Sequence, residues 1–347
     1  MSTTLRLDQF VDPFEAKVVY TDSGAYFDLS GLPRLDPMLV GRNVAEVPDI
    51  VKRLCGLCPV AHHLAGVRAL DALCGVEVPE SAQLVRLLLH HGSILYASRD
   101  MDIKRLGKAV MAAAGSPGHF PDVAIPGGVR ALPDPQALAE LRLPENYEES
   151  FEPVPYDGFD MMLTSHGTLD PLGDHVTARS GEERITFDLQ TWADHVAESR
   201  PGDPAPRPLV HGHPYRVGPY AHGEAMVPRS LAEIRRIIAD PRLCEGEFRK
   251  ESSILSGIGV GAVEGPRGLL VHRYVANEDG VLVDCQILTP TAQNEAWLAS
   301  MLEASLQQES DRGVELSVEN SIRTANPCLP CSSAPEGHMG VVIEKGN

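Results

Sequence analysis

RLCGLCPVAHHLAGVRALDALCGV, residues 53–76, places two cysteines three positions apart, directly before a proline and a run with helical periodicity. At this spacing Cys55 and Cys58 project to the same side of a turn, which is how a chain offers two thiolates to one metal ion. Pro59 suits the first turn of a helix predicted from about Ala61 to Cys74, and the positive end of that helix favours the thiolate form. The stretch therefore predicts a metal-binding turn at the start of an amphipathic helix.

A second pair, Cys328 and Cys331, lies near the other end of the chain in NPCLPCSS. One Cys-x-x-Cys alone is explained equally well by a thioredoxin-like redox pair, half a zinc site or two buried cysteines. Two pairs favour a four-thiolate centre, with zinc, an iron–sulfur cluster or another soft metal as candidates. Because zinc ribbons place their pairs much closer together in sequence, this site must join distant parts of a large fold.

Composition excludes several classes of partner. The chain has 347 residues, a net charge of −18 and 43% hydrophobic residues, which is ordinary for a globular protein with a sizeable core. The negative charge argues against a nucleic-acid backbone or an anionic membrane as the main partner. No signal peptide or membrane span is recognisable, so we expect a cytoplasmic protein.

Several segments resemble those of the large subunit of [NiFe] hydrogenases, in the expected order. Residues 53–79 resemble the family's N-terminal nickel-binding motif, and SIRTANPCLPCSS, residues 321–333, resembles its C-terminal partner. Between them, IPGGVR, YRVGPYAH, VEGPRGLLVHRY and ILTPTAQN resemble further family segments. The likeness runs from about residue 7 to residue 331, so it covers nearly the whole chain.

The resemblance implies a role for each cysteine and for one arginine. Cys55 and Cys328 correspond to the terminal nickel thiolates, and Cys58 and Cys331 to those that bridge nickel to an iron carrying carbon monoxide and cyanide. Thiolates are suitable ligands for such a soft centre, and a terminal thiolate such as Cys328 can accept a proton when dihydrogen is split. Arg267 corresponds to an arginine above the open face of the metal site.

Three further residues correspond to positions around the cofactor. Thr291, after Pro290, would bind a cyanide ligand, and His62 would lie beside a bridging sulfur and tune the metal. Each has a simpler explanation: Arg267 as a surface ion-pair residue, Thr291 as a helix cap and His62 as a packed histidine.

The chain also departs from the family pattern. The usual proton-transferring glutamate near the N-terminus is absent from LRLDQF, which offers only Asp8. The resemblance allows a structural magnesium near Asp36. Asn326 stands where the family has an aspartate, and Ala334 stands where it has a terminal histidine. In the family, a maturation protease commonly removes the segment after that histidine.

We predict an α+β fold that is predominantly helical, with a long-helix bundle core and small peripheral β-sheets, forming one domain over residues 1–347. The two cysteine pairs would meet at the metal site. Long helices are predicted at about 80–114, from Ser230, and from Pro290 as the last helix, and a strand pair is expected around ERITFDL.

The resemblance implies the catalytic subunit of a [NiFe] hydrogenase that cleaves dihydrogen reversibly. No cysteine remains in an iron–sulfur pattern, so electrons would pass to a small subunit that carries iron–sulfur clusters. The motifs are closest to cytoplasmic members that reduce soluble carriers, which allows further diaphorase-type subunits. Two alternatives remain: a degenerate homologue with a structural or electron-transfer role, and a zinc-binding or redox-sensing protein.

Overall fold

The computed structural model describes residues 15–22, 24–30, 36–54, 56–253, 256–307 and 311–346. Asp8 and Cys55, two of the predicted site residues, lie outside these ranges. The chain divides into two compact units. The terminal unit consists of Met1–Pro33, Glu198–Arg207 and Thr291–Asn347, and the central unit consists of Arg34–Ala197 and Pro208–Pro290.

The helices and strands are numbered in chain order. The helices are α1 (Asp36–Leu39), α2 (Val47–Leu54), α3 (Pro59–Cys74), α4 (Glu80–Tyr96), α5 (Met101–Ala113), α6 (Pro135–Glu140), α7 (Trp192–His195), α8 (Pro219–His222), α9 (Met226–Ile238), α10 (Pro290–Gln293), α11 (Glu295–Leu306) and α12 (Asp311–Ala325). The strands are β1 (Ala16–Thr21), β2 (Gly24–Phe27), β3 (Ala124–Ile125), β4 (Gly128–Val129), β5 (Phe159–Ser165), β6 (Thr168–Leu169), β7 (His175–Ser180), β8 (Glu183–Asp188), β9 (Val196–Glu198), β10 (Pro208–Val210), β11 (His213–Arg216), β12 (Gly257–Gly265), β13 (Gly268–Ala276), β14 (Leu282–Leu288) and β15 (Val341–Lys345).

Helix α3 follows the first cysteine pair, as predicted, and is the buried axis of the central unit. It begins at Pro59 and ends at Gly75, whose φ of 57° is the left-handed conformation that closes many helices. The expected amphipathic pattern is wrong, because the helix is buried on nearly every side, including the side of Asp71. Strand β12 lies directly on it: a Cβ atom at Gly261 would be 2.2 Å from the Ala65 carbonyl oxygen. Only glycine permits this approach.

A buried ion pair joins α3 to α4 and to the Pro-Gly-Gly segment. Nη1 of Arg86 lies 2.5 Å from a carboxylate oxygen of Asp71, and both side chains are almost inaccessible. Arg86 also donates to the carbonyl oxygens of Ile125 and Gly128, and Asp71 accepts the backbone N–H of Gly127 at 2.8 Å. The hairpin of β3 and β4 is therefore held on α3 by charge-assisted hydrogen bonds.

The sheets are larger and less peripheral than predicted. A seven-stranded sheet of the order β8-β7-β5-β11-β10-β9, with β6 on β5, replaces the expected strand pair. Strand β8 coincides with ERITFDL, but β13, the middle strand of the β12-β13-β14 sheet, is buried beside α3. The α+β class is confirmed, whereas "predominantly helical" overstates a chain that is 40% helical and 25% strand.

The single helix predicted over 80–114 is wrong, since the segment forms α4 and α5. Asp100 begins the second helix by accepting the backbone N–H groups of Asp102 and Ile103. The two helices then pack closely through glycine, because a Cβ atom at Gly107 would lie 2.7 Å from the carbonyl oxygen of Gly92. A local cap thus divides a run whose hydrophobic periodicity is continuous.

Two other helix boundaries also differ from the predictions. Helix α9 begins at Met226, and Ser230, the predicted cap, instead lies buried inside it with its hydroxyl 3.1 Å from Nδ1 of His91. The helix predicted from Pro290 is divided at Asn294 into α10 and α11, and α12 follows it. Strand β1 lies between β15 and β2 in the sheet of the terminal unit.

Replacing Arg86 by methionine should lower the free energy of unfolding by about 3–5 kcal/mol, because Asp71 would remain charged and buried without its partner. Chemical denaturation measures the loss. Arg105→Met is the matched control, since Arg105 pairs with Asp102 in solvent on α5 and should cost less than about 1 kcal/mol. Equal stability of the two variants would refute the structural role of the buried pair.

Candidate metal centre

Cys58 lies at the positive end of α3 and faces a small cavity of the central unit. It is the residue directly before the helix, and its carbonyl oxygen accepts the backbone N–H of His62 at 3.3 Å. The cavity has a volume of about 130 Å3. Its lining is mainly apolar and includes Leu57, Pro59, Ala61, Met111, Pro117 and Pro266. The thiol therefore adjoins an apolar space beside a helix N-terminus, where the macrodipole favours negative charge.

Arg267 lies at the tip of the hairpin formed by β12 and β13. Gly265 pairs with Gly268, so Pro266 and Arg267 form the loop between the strands. Pro266 lines the cavity of Cys58, which brings this hairpin tip to the first cysteine pair. Nε of Arg267 is buried, and no group among the described residues accepts a hydrogen bond from it. This buried donor fits a cation directed at a ligand better than a surface ion-pair residue.

Behind Cys58, three buried side chains form a hydrogen-bonded row. Nδ1 of His62 lies 3.1 Å from Nε2 of His272, and Nδ1 of His272 lies 2.7 Å from the Tyr274 hydroxyl. Burial among apolar residues holds the pKa of His272 well below its usual range and raises that of Tyr274. His62 is thus a packed and hydrogen-bonded histidine, one turn along α3 from Cys58.

The second cysteine pair forms a compact turn in the terminal unit. The backbone N–H of Cys328 donates to the Thr291 hydroxyl oxygen at 2.8 Å, and Thr291 does not cap its own helix. The hydroxyl of Ser332 donates to the carbonyl oxygens of Pro327 and Leu329, both at 2.9 Å. These contacts fix the orientation of the turn from Cys328 onwards.

Asn326 has a structural reason to replace the family's aspartate. It follows the last residue of α12 with a φ of 46°, and its N–H still donates to the carbonyl oxygen of Ile322 at 2.9 Å. Asparagine tolerates this left-handed conformation at a helix end better than most residues. Farther along the turn, burial raises the pKa of the Cys331 thiol to about 11. A metal cation is therefore needed to stabilise its thiolate near neutral pH.

A buried carboxylate near this turn was missed by the sequence analysis. Glu295, the first residue of α11, is 2% exposed and receives two hydrogen bonds from Arg207, at 2.5 and 3.1 Å. It lines a small cavity together with Thr291 and Pro327. The pair therefore supports the side of the turn on which Thr291 holds Cys328.

The structure brings together only part of the predicted site. It joins Thr291 to Cys328, and Pro266 to Cys58, whereas Cys55 and Asp8 lie outside the described residues. No three His, Cys, Asp or Glu side chains form a metal-binding group within the described ranges. The residues present nevertheless fit a soft metal centre, because the thiols lie on two ordered turns and Arg267 has a buried donor with no described acceptor.

Some of the overlooked residues carried a signal in the sequence. His272 and Tyr274 are two positions apart in VHRY, so they point to the same face of a strand. Arg207 and Glu295 are 88 positions apart, and no local pattern relates them. Only folding reveals such a pair.

Replacing Thr291 by valine should loosen the turn of Cys328, because the backbone N–H of that cysteine would lose its acceptor at a cost of about 1–3 kcal/mol. Hydrogen exchange of the Cys328 amide, followed by mass spectrometry, should become about tenfold faster or more. Thr291→Ser retains the hydroxyl and is expected to exchange like the unchanged protein. If the valine variant also exchanged at that rate, the contact would not order the turn.

His63 predicts a loss of stability in mild acid. Its Nε2 accepts the backbone N–H of Ala124 at 3.0 Å, and burial lowers its pKa from 6.5 to about 3. Between these values the unfolded chain binds a proton that the folded chain rejects, so the free energy of unfolding falls as the pH decreases. From pH 7 to 5 the contribution is about 2 kcal/mol.

Denaturation of His63→Gln across this range should therefore show a shallower pH dependence than that of the unchanged protein. His213→Gln is the control, because His213 is exposed on β11. A His63→Gln profile parallel to that of the unchanged protein would argue against burial of a neutral imidazole.

Comparisons with known proteins were made for the whole chain. Residues 34–98 match the family model of nickel-dependent hydrogenases. The F420-non-reducing hydrogenase of Methanocaldococcus jannaschii has a vhu subunit that is 24% identical over 88% of this chain and 94% of its own length. The alpha subunit of the coenzyme F420 hydrogenase from Methanothermobacter thermautotrophicus is 27% identical over 93% and 89%, respectively.

Solved structures show the same relationship in the fold. An NAD+-reducing [NiFe]-hydrogenase in the H2-reduced state aligns with a TM-score of 0.74 and 22% identity, covering 90% of this chain and 93% of that one. The Ni-Fe-Se hydrogenase of D. vulgaris Hildenborough in the reduced state aligns with a TM-score of 0.63 and 15% identity, covering 90% and 94%. The chain belongs to the nickel-dependent hydrogenase family and has the fold of a [NiFe]-hydrogenase large subunit.

Proposed function

We propose that this chain is the catalytic subunit of a [NiFe] hydrogenase and catalyses the reversible heterolytic cleavage of dihydrogen. The observation that supports this most directly is that two Cys-x-x-Cys turns occur on a chain that resembles hydrogenase large subunits over most of its length. The first turn precedes a buried helix, and the second is held by hydrogen bonds. The chemistry of four thiols suits nickel.

In this proposal the terminal and central units act as one domain. Cys55 and Cys328 hold nickel as terminal ligands, and Cys58 and Cys331 bridge it to an iron that carries carbon monoxide and cyanide. When bound, this centre supplies the place at which dihydrogen is cleaved. The raised pKa of Cys331 supports a cation at this position, since a buried thiolate requires a nearby positive charge.

The chain's own groups would then manage charge and protons. Sγ of Cys328 receives the proton, and the hydrogen bond from its N–H to Thr291 keeps the residue in place. The guanidinium of Arg267 provides a fixed cation and a donor beside the centre, which the buried Nε without a described acceptor supports.

Three residues would position the diatomic ligands and the bridging sulfur. Pro290 begins α10 and sets the direction of Thr291, whose hydroxyl already accepts from Cys328 and so has its hydrogen to donate to cyanide. His62, held by His272, would tune the bridging sulfur of Cys58 from the following turn.

Proton exit is the step most altered in this chain. Asp8 is the proposed substitute for the family's glutamate, and a relay through it requires hydrogen-bond contact. Asn326 cannot hold a proton as a carboxylic acid does. Turnover through this path is therefore expected to differ from that of family members with both carboxylates.

The partners follow from electron transfer. We propose a small subunit with iron–sulfur clusters, diaphorase-type subunits in the same complex, and a cytoplasmic location. Relatives are named as subunits of hydrogenases, and one structural neighbour is an NAD+-reducing enzyme, which supports a multisubunit complex. Within the described residues no helix is long and apolar enough to cross a membrane. Asp36, which accepts the N–H of Ile287 at 2.8 Å, is the proposed neighbour of a magnesium ion.

Infrared spectroscopy on the complex purified from its own host tests the proposal. Bands of iron-bound carbon monoxide and cyanide, together with nickel in the same sample, are the expected result. A fully folded, partner-bound complex without these bands would leave a degenerate homologue with a structural or electron-transfer role. Zinc in place of nickel would point to the zinc-binding alternative.

Cysteine variants locate the centre. Cys58→Ser should lose nickel and the infrared bands, because a serine hydroxyl is not a soft ligand. Cys244→Ser, at an exposed cysteine of the same unit, should retain both. Retention of nickel in the Cys58 variant would exclude Cys58 as a ligand.

A further inference from the structure

The segment after the second cysteine pair is built into the sheet of the terminal unit. Strand β15 pairs in parallel with β1, in register from Ala16 with Val341 to Tyr20 with Lys345. The pairing is extended at both ends: the N–H of Ala16 donates to Gly340 at 3.2 Å, and that of Gly346 donates to Tyr20 at 2.8 Å. Because β1 lies between β15 and β2, the segment covers what would otherwise be an open sheet edge.

Helix α12 holds the start of this segment through two charged side chains. Arg323 donates to the carbonyl oxygens of Ala334 and Pro335, at 2.7 and 2.8 Å. Glu319 is 4% exposed, forms an ion pair with Arg323, and accepts the N–H of Gly337 with both carboxylate oxygens at 3.0 Å. Charge-assisted hydrogen bonds of this kind are stronger than those between neutral groups.

The held segment continues directly from the cysteine turn. The N–H of Ala334 donates to the carbonyl oxygen of Cys331 at 3.1 Å. Ala334 and Met339 are 2% and 1% exposed, so both ends of the intervening loop are anchored in apolar surroundings. The backbone of Cys331 is therefore fixed from its C-terminal side by the same segment that completes the sheet.

We propose that residues 334–346 are a permanent strap that holds the Cys328–Cys331 turn and remain on the mature protein, in contrast to the removable extension of related large subunits. A protease would need to extract Ala334 and Pro335 from Arg323 and then leave β1 without its neighbour. That the held turn carries metal ligands rests on the proposed function, and in that case the centre assembles on the uncleaved chain. The strap itself does not depend on the metal.

Intact-mass measurement of the chain, purified in its complex from its own host, tests the retention of the strap. We expect a chain that still contains Lys345, in samples with nickel and in samples without it. A chain ending at or near Ala334 would overturn the proposal. Nickel content of the same sample is a separate readout, so failure of the strap and failure of the hydrogenase assignment are distinguishable.

The holding role is tested by Glu319→Gln, which keeps the shape of the side chain and removes its charge. Backbone amides of β1 and the 334–337 loop should exchange about tenfold faster, because hydrogen bonds to a charged acceptor are lost. Glu315→Gln, an exposed position on the same helix, is the matched control. Equal exchange in both variants would overturn the holding role.

A stop codon in place of Pro335 provides the complementary test. It should expose β1 to exchange and to limited proteolysis, and it should speed exchange of the Cys331 amide. If the truncated protein folds with unchanged protection at Cys331, the segment does not hold the turn. Should it fail to fold, the Glu319→Gln comparison still decides the outcome.

Discussion

The burial of α3 is the constraint on which the central unit depends. A helix that is enclosed on nearly every side must find a partner for each polar side chain that it carries, because an unsatisfied buried group costs several kcal/mol. His63 accepts from Ala124, Asp71 pairs with Arg86, and Arg68 donates to the carbonyl oxygens of Ala262 and Gly173. Each partner belongs to a different segment, so the helix determines where these segments lie.

This arrangement has a consequence for the first cysteine pair. Cys58 stands at the end of an element that cannot shift without breaking several buried hydrogen bonds, and the hairpin tip with Pro266 is fixed against the same helix. Arg267 therefore keeps its position relative to Cys58 without being packed itself. Such rigidity suits a site in which a cation must be oriented before the reaction occurs.

The terminal unit solves a different problem, since its cysteines lie on a turn and not on a helix. A turn has few hydrogen bonds of its own, and here Thr291, Ser332 and the strand after Ala334 supply them. The departures from the family pattern agree with this. Asn326 supports a left-handed helix end, and Ala334 is small and buried at the point where the chain enters the sheet. The chain has exchanged titratable groups for conformational ones near this turn.

The sequence by itself determined the family, the α+β class, the helix after Cys58 and the two cysteine pairs, because these depend on residue types at short and regular spacing. Other features were decided by tertiary structure. The cap at Asp100 divided a continuous hydrophobic pattern, α3 was buried on its polar side, and Thr291 was directed to Cys328 rather than to its own helix. The pair of Arg207 and Glu295 also had no local signal. In each case the deciding partner is distant in sequence or competes with the local pattern, and its contribution exists only when the chain has folded.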